Sequence, residues 1–127
     1  MKILVIEDNP VNMKLLLEIL SIEGYETIQA ENAYEGIEIA NSERPDLILM
    51  DIQLPGMNGL DALKILKGNS VTAHIRIIAL TAFAMKGDRE RFLQEGFDGY
   101  ISKPFRYTEL IETIKSLSRD KESTTKG

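Results

Sequence analysis

Glu7 and Asp8 stand directly after the apolar run Ile3-Leu4-Val5-Ile6, and Asp51 directly after Leu47-Ile48-Leu49-Met50. Thr81 closes a run that ends Ala79-Leu80, and Lys103 follows Tyr100-Ile101-Ser102 and precedes Pro104. If these runs are parallel strands, three carboxylates, one hydroxyl and one ammonium meet at a single sheet edge, where open α/β sheets bind their ligands. Three converging carboxylates repel one another unless something neutralises them. A hard divalent cation meets that need: Mg²⁺ takes oxygen ligands, and one or two carboxylates plus a phosphate suit it. An ionised aspartate is also a competent nucleophile toward phosphorus and gives an acyl phosphate. Such a transfer needs charge stabilisation on the phosphoryl oxygens. Lys103, Mg²⁺ and the Thr81 hydroxyl can supply it, so the cluster reads as an aspartyl-phosphorylation site.

The elements that must position these groups are legible in outline. Nearly continuous apolar, β-branched runs at 3–6, 27–30, 47–50, 75–80 and 100–101 fit parallel strands buried on both faces. Helical spacing of apolar residues fills the gaps, over 10–23, 33–41, 60–66, 88–95 and 107–117. Asn9 before Pro10 is an N-cap followed by proline at the first helical position, and Gly24 and Gly96 mark helix ends. Strand and helix alternate five times, which predicts an α/β domain with a parallel sheet and helices on both faces. The last residues are charged, Ser/Thr-rich and free of apolar anchors. The expectation is therefore one domain over 1–118 and a frayed or disordered tail over 119–127.

Composition excludes several function classes. The chain has 127 residues, of which 43% are hydrophobic, enough for one core but too few for this domain plus a DNA-binding domain. A formal net charge of -5 gives no electrostatic help toward nucleic acid, so no direct nucleic-acid role is expected. The absence of cysteine rules out disulfides, thiolate catalysis and cysteine-based metal sites. The first apolar run is too short for a signal peptide, and no stretch approaches a membrane span, so no membrane insertion and a cytoplasmic protein are expected. His74, the single histidine, reads as a loop residue before the fourth strand.

Taken together, Glu7-Asp8-Asn9, the stretch Leu49-Met50-Asp51-Ile52-Gln53-Leu54-Pro55-Gly56-Met57-Asn58-Gly59, Ala79-Leu80-Thr81-Ala82 and Tyr100-Ile101-Ser102-Lys103-Pro104-Phe105 resemble the motifs of bacterial response-regulator receiver domains. The resemblance runs from about Lys2 to about Leu117. Each motif alone is weak, but their joint order and spacing are specific. Asn12-Met13-Lys14-Leu15 and the stretch 81–88 narrow it to single-domain cell-division response regulators and the receivers of hybrid histidine kinases.

The resemblance implies a flavodoxin-like, doubly wound (βα)5 fold with strand order 2-1-3-4-5. It implies Asp51 as phosphoacceptor, Asp8 and Asp51 as direct Mg²⁺ ligands, and the Gln53 backbone carbonyl as a third. Glu7, where many members carry Asp, would act mainly through water. Thr81 and Lys103 would contact the phosphoryl group, and Thr81 with Tyr100 would form the switch. The implied donor is a sensor histidine kinase or histidine phosphotransfer protein and the implied output a downstream protein target. The implied state is a monomer or a weak phosphorylation-dependent dimer. The protein would be no enzyme toward external substrates; it would promote only its own phosphotransfer and dephosphorylation. A cis peptide bond is expected at Lys103–Pro104.

Three rival functions are weighed against this. A Mg²⁺-dependent phosphohydrolase typically has a second aspartate two residues after its nucleophile, and this chain has Gln53 there. A nucleotide or flavin binder needs a Gly-rich or Ser/Thr-rich loop after its first strand, and Glu7-Asp8-Asn9-Pro10 is acidic. A phosphorylation-independent interaction module would usually have lost a key acid, the threonine or the lysine, and none is lost.

Overall fold

The computed structural model describes the backbone of residues 1–82 and 85–126 and the side chains of 1–82 and 85–117. Phe83 and Ala84, within the motif that follows the fourth strand, lie outside the described residues. The elements alternate as β1 (Lys2–Ile6), α1 (Pro10–Ile22), β2 (Glu26–Ala30), α2 (Ala33–Glu43), β3 (Leu47–Asp51), α3 (Gly59–Lys67), β4 (Arg76–Thr81), α4 (Asp88–Glu95), β5 (Gly99–Ser102) and α5 (Tyr107–Lys126). All four strand pairings are parallel and the order is β2-β1-β3-β4-β5, as expected.

The period of two along each strand divides the core. Ile3 and Val5 of β1, Leu47 and Leu49 of β3, and Ile78 and Leu80 of β4 pack beneath Leu16 and Leu20 of α1 and Leu110 and Ile114 of α5. The alternate residues Leu4, Ile6, Ile48, Met50, Ile77 and Ala79 face Ala33 and Ala40 of α2, Leu63 and Leu66 of α3, and Phe92 of α4. A one-residue slip would swap these sets between faces, so burial on both sides fixes the register. The helix starts are set by asparagine side chains that accept backbone N–H groups: Asn9 at α1, Asn32 at α2 and Asn58 at α3.

The far edge of the sheet, away from the strand C-termini, is held by Asp98. Its Oδ2 accepts the Ile77 N–H at 2.8 Å and pairs with Lys67 at 3.4 Å, while Oδ1 pairs with Arg76 at 3.4 Å. Lys67 also donates to the Ile75 carbonyl at 2.9 Å. The start of β5 is thereby tied to α3 and β4, leaving the opposite edge to carry the chemistry.

One boundary differs from the sequence expectation. The backbone of α5 stays helical to Lys126, beyond the 107–117 over which apolar spacing places the helix. Residues 118–126 hold neither glycine nor proline, so nothing in their covalent structure stops a helix that Leu110, Ile114 and Leu117 have already seated. Among the described residues no helix is long and apolar enough to cross a membrane.

Candidate functional site

β1, β3, β4 and β5 end side by side, and their ends bring Glu7, Asp8, Asp51, Thr81 and Lys103 to one edge of the sheet. Glu7 follows β1, and its N–H extends the ladder by donating to the Ala30 carbonyl at 3.0 Å. Its side chain is buried: Oε1 accepts from Lys103 Nζ at 2.7 Å and Oε2 accepts the Asn9 N–H at 3.1 Å. Asp51, the last residue of β3, is also buried, with Oδ2 accepting from Lys103 Nζ at 2.8 Å and Oδ1 accepting the Gln53 N–H at 2.9 Å. Asp8 is exposed at the rim. Glu7, Asp8 and Asp51 can each offer an oxygen within 4.8 Å of the others.

The sequence motifs named Lys103 but gave no sign that its ammonium stands between two of the three acids. It comes from the turn after β5, where its N–H donates to the Thr81 carbonyl at 2.7 Å and its bond to Pro104 is cis, as expected. The mutual repulsion expected of the acids is therefore partly relieved by the chain itself.

Electrostatics follow from this packing. Burial pushes the Glu7 carboxyl above its ordinary value, and the bonds from Lys103 and the Asn9 amide only partly reverse this against the nearby charge of Asp51. Burial pulls the Lys103 ammonium down. Its hydrogen bonds to Asp51 and Glu7, and their charges, outweigh that and leave it above the usual lysine range.

Thr81 is buried at the end of β4, beside Leu80, which pairs with Asp51, and opposite Ser102 of β5. Tyr100 lies further back along β5, half-buried and paired with Ala79. Its ring stacks on Phe92 of α4, with centroids 5.7 Å apart and planes inclined by 21°. Phe92 also meets Phe97 edge-on at 6.0 Å. Nothing in the spacing of α4 marks Phe92; it is the link between Tyr100 and that helix.

Gly59, which reads as a turn residue in sequence, does more than turn the chain. It opens α3, and a methyl group built on it would stand 2.8 Å from Ile52 Cα and 2.9 Å from the Asp51 carbonyl oxygen. Both neighbours are backbone, so an added carbon must displace the segment that carries Asp51. Gly59→Ala should therefore cost about 1–3 kcal/mol of stability by this overpacking. Urea unfolding checks it; an unchanged midpoint would show that the loop yields freely.

Residues 3–115 match the model of the response regulator receiver domain. The chain belongs to that family. This receiver is 51% identical over 118 residues to the polar-differentiation response regulator DivK of Brucella anthropi, a match spanning 93% of this chain and 96% of that one. It is a relative of the kind the narrower motifs anticipate. Among solved structures, the receiver domain of a sensor histidine kinase from Pseudomonas aeruginosa superposes with a TM-score of 0.83 at 36% identity, over 91% of this chain and 94% of the other. That domain is described with a magnesium ion coordinated in its active-site cleft. The chemotaxis response regulator CheY4 of Vibrio cholerae superposes with a TM-score of 0.84 at 25% identity, over 91% and 96% of the two chains.

Proposed function

We propose that this receiver takes a phosphoryl group onto Asp51 in the presence of Mg²⁺ and thereby changes which protein it binds. The observation that carries the reading is the Lys103 ammonium held 2.8 Å from Asp51 and 2.7 Å from Glu7, with Asp8 at the rim. The donor set fits a hard divalent ion: carboxylate oxygens from Asp8 and Asp51 with the backbone carbonyl of Gln53, and Glu7 acting through water. Glu7 and Asp51 each have both oxygens engaged within the protein, whereas Asp8 is exposed at the rim and open to an ion. When bound, Mg²⁺ offsets negative charge on the phosphoryl oxygens.

The donor is a sensor histidine kinase or a histidine phosphotransfer protein. An Asp51 carboxylate oxygen forms the new O–P bond as the P–N bond of the phosphohistidine breaks and its electron pair returns to the imidazole. Lys103 then has a phosphoryl oxygen to hold in place of its bond to the bare carboxylate, and the Thr81 hydroxyl donates a further hydrogen bond. Movement of Thr81 opens room for Tyr100, whose rotation breaks its stack on Phe92 and so reaches α4. This is a local charge event biasing a two-state element. α4, β5 and α5 then present the surface a downstream protein reads, as a monomer or a weak phosphorylation-dependent dimer. The protein is no enzyme toward external substrates; it promotes only its own phosphotransfer and dephosphorylation. A cation held between two acids at the strand ends is what stabilising a phosphoryl group requires, which favours the switch over a phosphorylation-independent module.

The test is intact mass after incubation with acetyl phosphate, with Mg²⁺ or with chelator. One added phosphoryl group with Mg²⁺ and none without is the expected result; equal incorporation in chelator would overturn the reading. With Mg²⁺ titrated in chelator-free buffer, Asp8→Ala should weaken binding about tenfold or more, since even partners outside the ligand set are worth that much. Because Asp8 is exposed, its metal-free stability should change by under about 1 kcal/mol. Unchanged Mg²⁺ affinity would remove Asp8 from the ligand set.

A further inference from the structure

The geometry points to Tyr34 as a positioning residue that acts from α2 on the loop carrying Gln53; the inference rests on the Mg²⁺ site proposed above. That loop, residues 52–58, joins β3 to α3. Its ends are held: the Gln53 N–H bonds to Asp51 Oδ1 at 2.9 Å, and the Gly59 N–H bonds to the Ile52 carbonyl at 2.9 Å. Its tip turns at Gly56, where φ is 80°, in the left-handed region that favours glycine. There the ring of Tyr34 closes in. A methyl group built on Gly56 would stand 3.3 Å from Tyr34 Cε2 and 4.0 Å from its hydroxyl oxygen.

The ring is offered by a rigid element. α2 starts at the same sheet edge as Asp51, its first turn capped by Asn32 Oδ1 on the Glu35 N–H at 2.8 Å. Ala33 is fully buried, and Gly36 lies so close to β1 that a methyl there would stand 2.4 Å from Ile6 Cδ1. Tyr34 itself is 61% exposed, so it is not core filler. A large aromatic left mostly in water lies against a loop that carries a proposed metal ligand, the Gln53 carbonyl. Its effect is preorganisation: a loop already braced at its tip loses less conformational freedom when the Gln53 carbonyl is committed to an ion.

The experiment uses the full chain as wild type, Tyr34→Ala and Tyr34→Phe. Mg²⁺ is titrated calorimetrically, and amide exchange over 53–57 is read in metal-free buffer. Tyr34→Ala should weaken Mg²⁺ binding about tenfold, the lower end of what partners outside the ligand set cost. It should also speed exchange in the loop and leave the thermal midpoint close to wild type. Tyr34→Phe keeps the ring and should match wild type in all three. Wild-type affinity together with wild-type loop exchange in Tyr34→Ala would overturn the inference, and so would a loss in Tyr34→Phe equal to that in Tyr34→Ala. Wild-type protein that bound no Mg²⁺ would overturn the metal site itself, and loop exchange would still decide whether Tyr34 holds the loop.

Discussion

Asp51→Asn should abolish phosphoryl incorporation, with a loss on the order of a thousandfold or more, the scale seen when a covalent nucleophile is removed. Three carboxylates share the site, and elementary reactivity does not separate them; their surroundings do. Glu7 is buried with both oxygens engaged, and Asp8 lies at the rim. Asp51 shares with Glu7 the pattern of a backbone amide on one oxygen and Lys103 on the other, but it alone of the three acids ends the central strand β3. It also has β1 with its two acids on one side and β4 with Thr81 on the other. Asparagine preserves the shape but lacks the anionic oxygen. Intact mass with acetyl phosphate and Mg²⁺ reads the outcome. Incorporation by Asp51→Asn equal to wild type would transfer the acceptor role to Asp8, which Asp8→Asn then checks.

Lys103→Met should have the second largest effect, and on a different property. In metal-free buffer at neutral pH the variant leaves Glu7 and Asp51 charged, close together and without their cation. Breaking a buried pair by removing one partner costs about 3–5 kcal/mol, and the slight exposure of the Lys103 side chain places the expectation at about 3 kcal/mol. The pH dependence has a definite sign. Burial already holds the folded pKa of Glu7 above its ordinary value, and loss of Lys103 removes the largest influence that lowers it. A carboxyl whose folded pKa exceeds its unfolded value contributes stability that is fully present below the unfolded value. That contribution is lost as pH rises through the folded one. The variant's deficit should therefore be widest at neutral pH and narrow as the solution is acidified toward the ordinary glutamate range. Urea unfolding in chelator at neutral and mildly acidic pH measures it. A deficit that stayed constant would mean that Lys103 stabilises by packing, not by charge. Added Mg²⁺ should recover part of the loss at neutral pH, because it replaces the missing positive charge.

The fold was legible because its information is local. Apolar runs one strand long, the Asn9 cap and residues spaced along helix faces all act over a few positions, and β1 through α4 fall close to where these signals put them. α5 passes its expected end because Leu117 marks the last apolar residue, and a helix needs apolar contacts to be seated, not to continue. The site was legible as a list of residues, since strand ends are where such groups converge. Its internal wiring was not. Nothing in the spacing says that Lys103 reaches past Asp51 to Glu7, because that depends on side-chain reach across three strands. Gly59 reads as a turn for a similar reason: its closeness to the Asp51 backbone is a property of how α3 docks. Tyr34 and Phe92 went unmarked because an aromatic in a helix carries no sign of what it will touch.

The bridge made by Lys103 spans 52 residues of chain to Asp51 and 96 to Glu7. Ribosomes release the chain in that order, acids first and lysine last, and β5 is an edge strand that pairs with β4 alone. A partly synthesised receiver therefore holds Glu7 and Asp51 without the cation that stands between them. Contacts between distant parts of a chain must first pay the entropy of closing the loop between them. The ion pair thus ties the site to completion of the sheet: Glu7 and Asp51 gain their shared cation only when β5 has paired with β4, so in the switch proposed above the charge that holds the phosphoryl group arrives with the last strand.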